Sequence, residues 1–237
     1  MTFNRTTGAS VAPTVADPDL TTSRVVLVDV DRTLLRGSSL VALVRVLVAA
    51  GLVPRRTLLR AVVRGVVFSR LGSSDRQASR VMQQVLRSAK GCSVAELAAF
   101  TEAVAADLRA NLRTSMELRL RTHIDDGDFV VLLSAAPQQL VESLAEVVGA
   151  HRAVGTRGHV ADGRFTGELD GAFCYGSGKL ERLRSAIGPV DLTKAVAYAD
   201  SASDLPILAS VGSPIAVQPD RHLRSVARHR GWPVLLD

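Results

Sequence analysis

An α/β fold, with a parallel Rossmann-like sheet and a bundle of helices inserted after its first strand, is what the sequence predicts. Three observations carry that expectation. Runs such as Val25-Val26-Leu27-Val28 are apolar at every position, as in strands buried on both faces. From Asp128 onward such runs alternate with helical patterns, the order of parallel strands joined by crossover helices. Between the first strand and that alternation, Ser38 to His123 shows helical periodicity and no strand, which makes a bundle of its own.

Met1 to Ser23 is rich in Thr, Ser, Ala, Pro and Asp and has no apolar stretch, so it reads as a disordered tail rather than a signal peptide or anchor. The first strand follows and ends in Asp29 and Asp31. Ser38-Ser39 caps a helix through Leu40, Leu43, Val44 and Leu47 that stops at Gly51, and Pro54 opens a second through Leu58, Val62 and Val66. A third follows Ser73-Ser74-Asp75, with Val81, Met82 and Leu86 on one face. Ser93-Val94-Ala95-Glu96 is a capping box that opens a fourth, expected to run through Leu97, Phe100, Val104 and Leu108 towards His123. Phe129 to Ser134 is the second buried strand, Pro137 to Val148 a helix, and Val160 to Phe165 a hairpin turning at Asp162-Gly163. There follow a helix from Ser177 to Ala186, a strand from Lys194 to Asp200 and a short helix from Asp204 to Ala209. Strands at Pro214 to Val217 and Pro233 to Leu236 enclose a basic helix from Asp220 to His229. The expected division is a tail at 1–23, an α/β core of 24–36 and 121–237, and a helical cap of 37–120.

The 237 residues suffice for one medium domain and a smaller one. The apolar fraction of 47% allows a full core, built from Val, Leu and Ala because aromatics make up only 4%. Cys92 and Cys174 stand in no metal-ligand spacing; they argue for a reducing, cytoplasmic setting and against a disulfide framework or zinc site. Leu40 to Leu71 is apolar but interrupted by Arg45, Arg55, Arg56, Arg60, Arg64, Arg70 and Pro54, which suits a soluble or interfacial segment rather than a bilayer span. The formal charge is +6, yet Arg36 to Lys90 holds ten Arg and one Lys against Asp75 alone, a local +10 that leaves −4 elsewhere. Such asymmetry suits an anionic partner, whether phosphorylated substrate, anionic lipid or nucleic acid, or else a solvated basic face.

Polar residues fall at the carboxyl ends of the expected strands or at helix starts: Asp29 with Asp31, Ser134, Lys179, and Asp200 with Asp204. In an open parallel sheet these ends converge on one crevice. Residues i and i+2 of a strand point the same way, so Asp29 and Asp31 are expected to meet there. Carboxylates grouped with one lysine and one hydroxyl suit a divalent cation held together with a phosphate, since Mg2+ takes one or two carboxylates plus phosphate and water. Taken singly, each residue has a plainer role: Ser134 as a helix cap, Lys179 as a surface lysine, Asp200 to Asp204 as a capped loop. Gly176-Ser177-Gly178-Lys179 is not a P-loop, because Phe173 stands where the first Gly belongs and Leu180 where Ser or Thr should follow the Lys. Their joint occurrence, in order, is what the single roles leave unexplained.

Asp29-Val30-Asp31-Arg32-Thr33, Ser134, Lys179 and Asp200-Ser201-Ala202-Ser203-Asp204 resemble the four motifs of the haloacid dehalogenase superfamily. The insertion directly after the first motif resembles the cap of its phosphoserine-phosphatase-like branch, subfamily IB. Similarity to that subfamily extends through Leu34 to Ser39, Gly155-Thr156-Arg157, Asp162 to Gly167, Ala197 to Asp200, Asp204-Leu205-Pro206 and Gly231-Trp232-Pro233. The resemblance implies a phosphoric monoester hydrolase working in two steps. Asp29 would attack phosphorus and form an aspartyl phosphate, while Asp31 would protonate the leaving oxygen and later take a proton from water. Mg2+ would be held by Asp29, by the backbone carbonyl of Asp31, by Asp200 and, directly or through water, by Asp204. Lys179 would neutralise charge between nucleophile and phosphate. Thr33, Ser134 and Arg36 are the candidate substrate-binding residues, Ser134 as donor to a phosphoryl oxygen and Thr33 also steadying the first loop.

Phosphoserine phosphatases of this branch carry an acid on the helix after the first motif, for the substrate's amino group. Here no acid occurs between Asp31 and Asp75. The expected substrate is a small phosphorylated metabolite other than phosphoserine, with further negative charge or presented at a membrane surface as an anionic lipid phosphate. Nucleic acid is not expected. Two alternatives stand beside this: phosphoryl transfer to an alcohol by the same chemistry, and a non-catalytic module binding anionic lipid or nucleic acid through the basic cap. His123 is expected to meet the dipole at a helix C-terminus, and His151, His159, His222 and His229 to be surface residues. Trp232 is expected to pack the C-terminal segment onto the core.

Overall fold

The computed structural model describes residues 23–49 and 75–237. The expected tail up to residue 22 lies outside them, as does the second cap helix around Leu58 to Val66 with Arg55, Arg56, Arg60, Arg64 and Arg70. Strand β1 (Val25–Asp29) is followed by helices α1 (Ser39–Ala49), α2 (Asp75–Ser88), α3 (Val94–Leu108) and α4 (Thr114–Asp125). Then come β2 (Phe129–Pro137), α5 (Gln138–Val148), β3 (Arg152–Thr156), the pair β4 (Gly158–Ala161) and β5 (Arg164–Leu169), and α6 (Gly178–Ile187). The chain closes with β6 (Val196–Ala199), α7 (Leu205–Leu208), β7 (Ser213–Val217), α8 (Arg221–Arg230) and β8 (Val234–Leu235).

Six strands form one sheet in the order β3-β2-β1-β6-β7-β8, with every pairing parallel. The chain winds outward from β1 to β3, returns to β6 and winds outward the other way. The direction therefore reverses between β1 and β6, which is where open α/β sheets place their ligands. Alternate residues of β1 feed two cores. Val26 and Val28 join Val130, Leu132, the α4 residues Met116 and Leu120, and Leu140 and Leu144 of α5. Val25 and Leu27 join Phe129, Val131, Leu183 of α6, Leu208 of α7 and Leu223 of α8. Burial on both faces is what the unbroken apolar runs predicted.

The capping box at Ser93 forms as expected, with the Glu96 N–H donating to Ser93 Oγ (3.5 Å) and the Ser93 N–H to the Glu96 carboxylate (3.3 Å). Asp162 and Gly163 both have positive φ, 50° and 73°, as a two-residue hairpin turn of the primed kind requires. This hairpin clasps the insertion: the Gly91 N–H donates to the Phe165 carbonyl (2.8 Å) and the Val94 N–H to the Gly163 carbonyl (3.0 Å).

One expectation needs correction. The fourth helix does not run unbroken to His123; it ends at Leu108, passes through a short turn at Arg109–Asn111, and restarts at Thr114. The break is made by tertiary pairing, because Leu112 bridges Leu35, the Arg36 N–H donates to the Asn111 carbonyl and the Arg113 N–H to the Leu34 carbonyl. The two chain crossings between sheet and insertion are thus stitched together. Strand β3 was not anticipated. Among the described residues no helix is long and apolar enough to cross a membrane.

Candidate active site

Strand β1 ends at Asp29, and the backbone then turns sharply. Arg32 takes the left-handed conformation (φ 63°, ψ −7°), uncommon for a residue with a side chain. The turn is closed by the Leu35 N–H donating to the Val30 carbonyl (2.9 Å) and the Arg32 N–H to the Gly37 carbonyl (3.1 Å). Asp31 is therefore not a strand residue, which corrects the expectation that both aspartates project from one strand face. Its carboxylate caps the start of α1, accepting from the Ser39 N–H (2.8 Å) and the Ser38 hydroxyl (3.2 Å).

Asp29 is gripped from two sides. One oxygen accepts from Lys179 Nζ (2.7 Å) and the other from Thr33 Oγ1 (2.8 Å). Lys179 Nζ also donates to Asp204 (2.5 Å), bridging the end of β1 to the turn before α7. Asp200, the residue after β6, pairs with the Arg32 guanidinium (2.8 Å). One carboxylate oxygen from each of Asp29, Asp200 and Asp204 lies within 4.8 Å of the others. Lys179, Asp200 and Asp204 are each only 3% exposed. Lys179 reaches this point because Gly178 precedes it: a Cβ there would stand 2.0 Å from the Phe173 carbonyl oxygen, so only glycine lets α6 start so close.

Burial would lower the Lys179 pKa, but the Asp204 and Asp29 carboxylates outweigh it and hold the ammonium firmly charged. Burial pushes the Asp204 carboxyl up to about 6, with Lys179 opposing and Asp29 adding. Burial and the Asp29 carboxylate also drive Asp200 well above the usual carboxylate range, against the pull of Arg32. The Asp31 carboxyl is raised too, by burial first, with Ser39 opposing and Asp29 adding. Acid thus exceeds base in this crevice. The converging donors are all carboxylate oxygens, a set that fits a hard divalent cation and no soft one.

The other expected residues are placed as follows. Ser134, 2% exposed on β2, accepts from the Ala136 N–H (3.2 Å), which leaves its own O–H for a ligand oxygen. Thr33 is fully buried with its hydroxyl committed to Asp29. Arg36 is exposed, and its charge acts on Asp237 at the C-terminus. Asp31 is not among the three residues whose carboxylates converge. Sequence reasoning passed over Arg32 and Arg113, whose Nε donates to the Arg32 carbonyl (3.1 Å). The signal for Arg32 was its position, a cation inside the first acidic motif.

His123 does sit in the last turn of α4, but its ring has two close partners: Nδ1 lies 2.7 Å from Asp128 and Nε2 lies 2.8 Å from the Tyr198 hydroxyl. Arg24 completes the group with a 2.5 Å contact to Asp128. His151 is more than a surface residue, since it stacks on Phe129 and its Nδ1 accepts from the Val130 N–H (3.0 Å). Trp232 packs against the core as expected, with Arg230 over its ring. Burial pushes the Cys174 thiol up to about 12, which removes it as a nucleophile.

A parallel sheet that reverses direction beside a buried, lysine-bridged set of carboxylates is the architecture of an α/β enzyme. The model of the haloacid dehalogenase-like hydrolases matches residues 26–209, and the chain belongs to that family. It is 36% identical over 223 residues to a phosphoserine phosphatase of Mycobacterium tuberculosis, covering 92% of this chain and 72% of that one. A solved structure from Bordetella pertussis Tohama I, of unknown function, is 29% identical with a TM-score of 0.75, covering 91% of this chain and 99% of the other. A phosphoserine phosphatase solved as an analogue of its phospho-aspartyl intermediate shares the fold at 19% identity, with a TM-score of 0.62 over 86% of this chain and 90% of that one.

Proposed function

We propose that this hydrolase is a Mg2+-dependent phosphatase that cleaves a small phosphate monoester through an aspartyl phosphate on Asp29. The observation that carries the reading is the Asp29 carboxylate at the switch point, bracketed by Lys179 and Thr33, with Asp200 and Asp204 close enough to share one cation. The phosphatase named among its relatives supports the same chemistry.

Asp29, Asp200 and Asp204, with the Asp31 carbonyl, would hold Mg2+, which when bound supplies positive charge to the phosphoryl oxygens. An Asp29 oxygen attacks phosphorus as the bond to the leaving oxygen breaks, and Asp31 gives its proton to that oxygen, so the product departs as an alcohol. Burial makes the Asp31 carboxyl able to carry that proton. Asp31, now a carboxylate, takes a proton from water; that water attacks the phosphorus of the aspartyl phosphate, freeing phosphate and restoring Asp29. Lys179 stays charged throughout and compensates the anion, while the Ser134 hydroxyl donates to a phosphoryl oxygen.

The helical insertion would act as the cap that shapes the leaving-group pocket, since α1 begins at the very N–H that holds Asp31. Helix α1 carries no acid, so a free ammonium group has no partner there. The substrate class that follows is a phosphate ester other than phosphoserine. The test is phosphate release from sugar, glycerol, amino-acid, nucleotide and lipid monoesters, with and without Mg2+, beside Asp29→Asn. Release that needs both Mg2+ and Asp29, with phosphoserine a poor substrate, is expected. Equal release by Asp29→Asn would overturn the mechanism, and preference for phosphoserine would overturn the substrate class.

A further inference from the structure

We infer that Arg32 is a built-in counter-cation that holds Asp200 until a divalent ion displaces it, so that metal binding here is an exchange of cations. This rests on the proposed reading of Asp29, Asp200 and Asp204 as the cation site.

The three converging carboxylates are shared between two cations of different mobility. Lys179 bridges Asp29 and Asp204 and is almost wholly enclosed, its side chain 4% exposed. Asp200 is left to Arg32, whose side chain is 35% exposed and so has solvent to move into. The Arg32 backbone cannot follow: its N–H is held by Gly37, its carbonyl by Arg113, and its φ is left-handed. From that fixed backbone the guanidinium lies on the buried Asp200 carboxylate at 2.8 Å, a charge-assisted contact made by the side chain alone. A doubly charged ion entering among the three acids would repel the guanidinium at short range and compete for the same Asp200 oxygens. The partly exposed arginine, rather than the enclosed lysine, is the cation able to yield.

The consequence can be read without turnover. Asn and Gly both accept the left-handed backbone, so Arg32→Asn and Arg32→Gly remove the charge without straining the turn. Binding of Mn2+ would be followed through loss of the free-ion electron paramagnetic resonance signal, and binding of Mg2+ by calorimetry, with circular dichroism confirming the fold of each variant. Both variants are expected to bind either ion about tenfold more tightly than the unaltered chain, while Arg32→Lys, which keeps the charge, stays within about twofold. The rise in melting temperature on adding Mg2+ is expected to be larger in Arg32→Asn than in the unaltered chain. Folded Arg32→Asn and Arg32→Gly that bind either ion no more tightly than the unaltered chain would overturn the exchange and leave the cation site standing. Absence of binding by every form would overturn both.

Discussion

At the amino end of β1, the carboxylate of Asp128 is met by Arg24 and His123, and His123 in turn by Tyr198; at the carboxyl end, Asp29, Asp200 and Asp204 have, among the described residues, Lys179 and Arg32 as their cations. Asp128, Asp200 and Asp204 are all buried, yet their carboxyls shift in opposite directions. Burial would raise Asp128, but Arg24 and His123 outweigh it and hold the carboxyl below its usual range. Burial raises Asp200 and Asp204, and the available cations do not cancel it. Enclosure alone therefore does not mark a reactive site. What distinguishes the two ends is the balance of charge: one network is complete within itself, and the other is short of a cation.

The sharpest way to test that contrast is to remove the proposed nucleophile. Asp29→Asn is expected to lower phosphate release by about a thousandfold or more while the melting temperature holds or rises, because one of several crowded carboxylates is gone. Removing a cation at the same end should do the reverse to stability. Lys179→Met leaves buried carboxylates without their bridge and is expected to lose about 3–5 kcal/mol in urea unfolding, part of it restored by Mg2+. At the balanced end, His123→Ala should cost about 1–3 kcal/mol by leaving Asp128 and Tyr198 short of a partner, with kcat unchanged. A kcat that fell with it would break the division between the two ends.

The smallest expected effect is on pH dependence without metal. The folded carboxyls of Asp200 and Asp204 lie above the ordinary value of 3.8, so the folded state binds more protons than the unfolded one between about 4 and 6. Their contribution to stability falls as pH rises through that window. Asp128, shifted the other way, contributes above the ordinary value and is lost as pH falls through its lowered one. The metal-free melting temperature should therefore drop by a few degrees between pH 4.5 and 7, and saturating Mg2+ should reverse the slope, since the ligands must be ionised to bind it. Calorimetric scans across that range would show it, and Asp204→Asn should flatten the metal-free slope.

The core strands β1 and β2 were legible because burial on both faces leaves an unbroken apolar run. Strand β3 was not, because Arg152-Ala153-Val154-Gly155-Thr156 offers one sizeable aliphatic residue at the edge of the sheet. The break before α4 was hidden because Leu35 and Leu112 are far apart in the chain and meet only in the folded state. The same holds for the site. Asp29, Lys179, Asp200 and Asp204 could be picked out because each ends a strand or starts a helix. That Arg32 would reach Asp200, or His123 reach both Asp128 and Tyr198, depends on the handedness of one turn and the docking of one helix. Strand periodicity misplaced Asp31 because the strand stops two residues earlier than the pattern implies.

The central claim is that Asp29 carries the phosphoryl group. Borohydride added during turnover of an accepted monoester reduces an aspartyl phosphate to homoserine, which peptide mass spectrometry can assign to a position. The account predicts homoserine at position 29, dependent on substrate and Mg2+ and absent when substrate is withheld. Steady phosphate release with Asp29 unmodified under the same conditions would contradict it.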